Sequence, residues 1–113
     1  MRQAGVLAAA GIVALETMVE RLGEDHDRAR RLAKGLAAIP GLVLAPGTPV
    51  TNMVFLSLDA SVPFSTREVV EKLGARGVLV GVSGSRQFRL VTHYWVDDAG
   101  VERAVEAFKS ILA

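Results

Sequence analysis

The chain has 113 residues, half of them hydrophobic, with 13 lysines and arginines against 12 acids and a formal net charge of +1. That length supports one domain with a modest core, and the mixed charge, with no basic tract interleaved with aromatics, gives no reason to expect nucleic acid as a partner. Cysteine is absent and His26 and His93 are the only histidines, which excludes a disulfide framework and a thiolate metal site and argues against structural zinc.

Ala4 to Leu15 carries no charge and, behind Met1-Arg2, has the outline of a short signal peptide. It falls short of the roughly 20 apolar residues that cross a bilayer. Glu16 to Leu22 continues its helical pattern where a cleavage region would stand, so the reading is a helix in a cytoplasmic protein without membrane attachment. This helix is apolar nearly all round, and such helices are covered on more than one side. A chain this short has little to cover it with. Either the protein is a homo-oligomer through this helix, or a larger part of it lies elsewhere.

Gly23 offers a stop and Glu24-Asp25 an acidic restart, and a second helix is predicted to about Ile39, closed by Pro40-Gly41. Leu42 to Leu44 reads as a short strand and Pro46 to Pro49 as a loop. A longer strand is expected from Asn52 to Leu58, where Met53, Phe55 and Ser57 alternate with Val54, Leu56 and Leu58. Ser65-Thr66-Arg67-Glu68 fits a capping box that opens a helix bearing Val69, Val70 and Leu73. Gly74 to Gly77 turns the chain into a predicted strand, Val78 to Val80, and Gly81 to Ser85 is read as a flexible turn. Phe88 to Val96 has the β-branched and aromatic content of a strand. A last helix follows Asp97-Asp98, with Val101, Ala104, Val105, Phe108 and Ile111 at helical spacing. The expected fold is α+β: a long N-terminal helix, then a small, mainly antiparallel sheet with helices packed on one face. Residues 1–23 form the helix and its connection, and residues 24–113 the small domain.

Arg89 is the most informative residue, because it interrupts an otherwise apolar strand. With a period of two, Phe88, Leu90 and Thr92 face one way and Arg89, Val91 and His93 the other. A guanidinium there must be paired, reach solvent or await an anion, and its fork is shaped to grip a carboxylate with two parallel hydrogen bonds. The alternative is an edge strand with Arg89 on its wet face. His93 shares that face but lies about 13 Å along the strand, at roughly 3.3 Å per residue, too far for both to touch one small group. Asn52 stands at the mouth of a strand, where its amide would orient a ligand or cap a turn. Ser83 and Ser85 have no histidine or acid at a triad spacing, and Gly81-x-x-Gly84 is too short for a phosphate loop. The residues alone give no complete catalytic apparatus.

Four stretches, in order, resemble one family. Met1-Arg2-Gln3-Ala4-Gly5-Val6-Leu7-Ala8-Ala9-Ala10-Gly11 is similar to the segment that follows the glycine run of low-specificity L-threonine aldolases. Glu24-Asp25-His26-Asp27, Thr51-Asn52-Met53-Val54 and Arg89-Leu90-Val91-Thr92-His93 resemble later segments of the same enzymes. The resemblance implies a fold-type-I pyridoxal-phosphate lyase of which this is the carboxyl-terminal part, cleaving L-threonine or L-allo-threonine to glycine and acetaldehyde. Met1 would then be an internal methionine. The family's Schiff-base lysine lies on a segment before the glycine run, and Lys34, Lys72 and Lys109 do not match it, so this chain alone is expected to bind no cofactor and catalyse nothing. Arg89 matches the arginine that binds the substrate carboxylate, Arg2 an arginine that approaches the cofactor phosphate across a subunit interface, and Asn52 a position near the substrate mouth. The β-hydroxy amino acid substrate and a homo-oligomeric assembly belong to the same implication. Another fold-type-I enzyme, such as a β-eliminating lyase or a transaminase, would present a similar small domain. The alternative from a different class is a stand-alone, non-catalytic α+β module that binds a small carboxylate or mediates dimerisation.

Overall fold

Two strands with strict inside–outside alternation organise the structure. The computed structural model describes residues 2–113; Met1, expected to be an internal methionine, lies outside the described residues. In chain order the elements are α1 (Gly5–Thr17), α2 (Leu22–Ala37), β1 (Leu42–Leu44), β2 (Met53–Leu58), α3 (Thr66–Gly74), β3 (Gly81–Val82), β4 (Gln87–Val91) and α4 (Asp98–Leu112). The strands form one sheet in the order β1-β2-β4-β3, and all three pairings are antiparallel. The α+β architecture expected from the pattern is the one observed.

Val54, Leu56 and Leu58 of β2 and Phe88 and Leu90 of β4 are buried on one face of the sheet. They meet Ala29, Leu32, Ala33 and Leu36 of α2, Val69 and Leu73 of α3, and Val101, Ala107, Phe108 and Ile111 of α4. The centre of this core is an edge-to-face pair, Phe88 against Phe108, with ring centroids 5.7 Å apart. Gly35 lets α2 approach α4 closely, since a Cβ there would sit 2.8 Å from a Val105 methyl. Helices therefore cover one face only, as the pattern predicts.

The helices begin where the caps allow. Ser65 Oγ accepts the backbone N–H of Glu68 at 3.2 Å, so Ser65 caps α3 as the pattern predicts. Asp97 caps α4 by accepting the N–H of Gly100 at 2.7 Å. Asp98 then accepts from Arg28 Nε at 3.1 Å and Arg31 Nη1 at 2.7 Å, tying α4 to α2.

Four boundaries differ from the sequence reading, each for a local reason. α1 ends at Thr17, short of Leu22, and α2 starts at Leu22, running through Gly23. Arg21 reaches both oxygens of Asp25, at 3.1 and 3.2 Å, across the first turn, and Glu24 and Asp25 there complement the helix dipole. Val78 to Val80 is not a strand, because the Val78 N–H is committed to Leu73 O at the end of α3. Pairing starts only at Gly81, inside the stretch read as a turn. β4 stops at Val91, because His93 O accepts the N–H of Val96 and bends the chain.

α1 stands apart from this core. None of its residues is buried, and Val6 and Leu15 are 79% and 74% exposed. The Cα radius of gyration is 16.2 Å, against about 13 Å for a compact chain of this length, and the outlying helix accounts for the long 51 Å axis.

Two predictions follow from the packing and the ion pairs. Phe88→Ala should cost about 3–5 kcal/mol by urea unfolding, and a loss below about 1 kcal/mol would contradict the central role of the aromatic pair. The Asp98 carboxyl is held below the usual aspartate range, first by the hydrogen bond from Arg28 and then by the nearby Arg31 and Arg28 charges. A carboxyl depressed in the folded state stabilises above its unfolded value and loses that contribution as pH falls, so the effect should fade from about pH 4 downward. Asp98→Asn should therefore flatten that part of the acid-unfolding profile, while leaving the curve unchanged would rule out the link.

Candidate functional site

The face of the sheet without helices carries the chemistry. Alternation sends Arg89 and Val91 of β4 and Met53 of β2 outward, beside the half-buried Phe55. Phe55 lies directly across from Arg89 on one side and Gly81 on the other. Arg89 is thus exposed on its wet face, but on an inner strand of the sheet, not the edge strand of the alternative reading.

Among the described residues, Arg89 has no hydrogen-bond or ion-pair partner. Arg21, Arg28, Arg31 and Arg67 each pair with a carboxylate, and Arg86 donates to the carbonyls of Asp59, Val62 and Phe64. An uncommitted planar fork on an apolar, outward sheet face suits a carboxylate or phosphate.

Asn52 is placed differently. Its amide donates to Thr92 O at 2.8 Å, while its own carbonyl accepts the Thr92 N–H at 2.9 Å. Thr92 is buried, and its hydroxyl donates to Asp25 O at 2.7 Å. Asn52 therefore fastens the start of β2 to the end of β4, and through Thr92 to α2. It lies three residues beyond Arg89 along the paired strands, about 10 Å at the usual rise, so the two are not brought together. His93 accepts the Trp95 N–H at 3.2 Å through Nδ1 and shapes the turn after β4. Arg2 is exposed ahead of α1, and no hydrogen bond or ion pair joins it to Arg89 or Asn52.

A pyridoxal phosphate site needs a lysine amine within reach of the substrate. Lys34, Lys72 and Lys109 lie on α2, α3 and α4, the layer that covers the opposite face of the sheet from Arg89. Lys72 is spent over the Phe64 ring, 3.5 Å from its centroid. The residues present do not make a complete cofactor site. What this chain offers is a guanidinium without a partner among the described residues on the open face of the sheet.

Some contacts had no signal in the sequence. Arg86 adopts a left-handed φ of 59° and clips carbonyls 22–27 residues upstream, a distance no local pattern reports. Arg21 pairs with Asp25 and also lies 5.0 Å from the Tyr94 ring centroid, which joins α2 to the turn after β4. Its i,i+4 spacing to Asp25 was the available clue.

Comparison with known proteins narrows the possibilities. The model of the beta-eliminating lyase family matches residues 1–61. A probable low-specificity L-threonine aldolase 2 from Arabidopsis thaliana is 36% identical over 111 residues, covering 98% of this chain and 31% of the relative. The low specificity L-threonine aldolase of Escherichia coli (strain K12) is 36% identical over 113 residues, 100% of this chain and 32% of that enzyme. The chain thus spans about a third of the length of these curated relatives. A C-DES mutant with glycine covalently linked to its PLP cofactor superposes at a TM-score of 0.74 with 21% identity, covering 94% of this chain and 28% of that one. A NifS-like protein from Rickettsia africae gives 0.73 with 12% identity, over 85% and 30%. At these identities the structures establish the fold, that of the small domain of fold-type-I pyridoxal-phosphate enzymes. By the family match over residues 1–61, more than half of its length, the chain belongs to the beta-eliminating lyase family.

Proposed function

We propose that this chain is the carboxyl-terminal part of a pyridoxal-phosphate-dependent aldolase that cleaves L-threonine or L-allo-threonine to glycine and acetaldehyde. One observation carries the reading: Arg89, the match to the family's carboxylate-binding arginine, has no partner among the described residues and stands on the sheet face that the helices leave open. The threonine aldolases that align along nearly the whole chain support the same reaction class.

In this reading Arg89 donates two parallel hydrogen bonds to the substrate carboxylate. Gripping both oxygens fixes rotation about Cα and so orients the Cα–Cβ bond that breaks, a positioning effect of several kcal/mol. In the complete enzyme pyridoxal phosphate would supply the electron sink for that cleavage, held by a lysine outside this chain. Asn52 serves the site indirectly, by holding the ends of β2 and β4 through Thr92. Arg2 meets the cofactor phosphate of a neighbouring subunit in a cytoplasmic homo-oligomer. No helix of the described residues is long and apolar enough to cross a membrane.

In the complete enzyme, Arg89→Ala should raise KM for threonine strongly and lower kcat as well. Hydrogen bonds to a charged group contribute about 1.5–3 kcal/mol each, so kcat/KM should fall at least about tenfold. An unchanged kcat/KM would remove Arg89 from the substrate site.

The second reading is a self-standing dimerisation module, favoured by the apolar α1 that none of the described residues covers. The two readings part on the isolated chain in light scattering and dye binding. The aldolase reading expects aggregation or strong binding of a hydrophobic dye by α1. A discrete dimer with α1 protected from hydrogen exchange would favour the module.

A further inference from the structure

We propose that Gly81 is a positioning residue for Arg89, an inference that rests on reading Arg89 as the carboxylate clamp. Gly81 is the register partner of Arg89 on β3, and its backbone does not take up the left-handed conformation that calls for glycine. A β-branched residue would suit the strand better, so the backbone alone gives no reason for glycine here. The space beside it does. A Cβ at position 81 would lie 3.3 Å from the Arg89 carbonyl oxygen and 4.0 Å from its Nε. The Arg89 side chain thus runs beside β3, where a Cβ would just touch its Nε and the γ-carbons of a larger residue would reach further into its path.

On the other flank stands Phe55, directly opposite Arg89 on β2. Filling position 81 would leave the charge of Arg89 intact while displacing the fork from the line on which it meets a carboxylate. Misplacement of a positioned group by about 1 Å is enough to cost up to 10²-fold in rate.

The test uses Gly81→Val in the complete enzyme beside Arg89→Ala, with the position of the Arg89 guanidinium read from crystal structures of the complete enzyme and its Gly81→Val variant. Valine favours the strand but brings its Cβ to 3.3 Å from the Arg89 carbonyl oxygen, so the melting temperature is measured alongside. We expect KM for threonine to rise about tenfold with a smaller change in kcat, and the Arg89 guanidinium to be displaced. An unchanged KM, with Arg89→Ala impaired, overturns the role of Gly81 and leaves the clamp standing. An unaffected Arg89→Ala removes the clamp and this inference together. A rise in KM with the Arg89 guanidinium unmoved also overturns it, because the effect would not pass through Arg89. Should Gly81→Val fail to fold, Gly81→Ala is read by the same criteria, with a smaller KM rise expected.

Discussion

The structure depends on a sheet that helices cover on one face only. With a period of two, that single constraint gives neighbouring residues opposite fates. Phe88 and Leu90 enter the core against α4, while Arg89 and Val91, one position away, are left outside. The apolar half of β4 holds the domain together and the other half presents a cation. Fold and candidate site are therefore written on the same five residues, and a register slip of one would exchange them.

The ends of the two central strands are fixed by a small polar node that complements this arrangement. Asn52 and Thr92 exchange hydrogen bonds at the point where β2 begins and β4 has just ended, and the buried Thr92 hydroxyl reaches the backbone of Asp25 on α2. Asp25 is in turn held by Arg21, whose guanidinium lies beside Tyr94. Helix, strand end and following turn are thus one unit. At the other end of β4, Arg86 gathers three carbonyls of the loop between β2 and α3. Arg89 stands between two such fastenings without entering either, which leaves its charge available.

Much of this was legible in the sequence, because alternation and helical spacing report burial directly. β2, β4, the Ser65 cap and the covered face were all readable in that way. The displaced strand was not. Val78-Leu79-Val80 has good strand composition, but the Val78 N–H closes the end of α3, and local composition cannot register that competition. The same shift hid Gly81, which looked like part of a turn and is the residue across from Arg89. Arg89 stands out of pattern in the sequence, and the carboxylate-binding role proposed for it comes from resemblance, which pattern alone does not supply. α1 was identified as a helix in need of cover, and in the structure it remains uncovered, in keeping with a chain about a third as long as its curated relatives.

The central claim is that this chain is one part of a larger aldolase. Sequencing the coding DNA immediately upstream of Met1 tests it most directly. The account predicts an open frame running back through a glycine run to a lysine-bearing segment. A stop codon and a ribosome-binding site immediately upstream would contradict it and make this a free-standing domain.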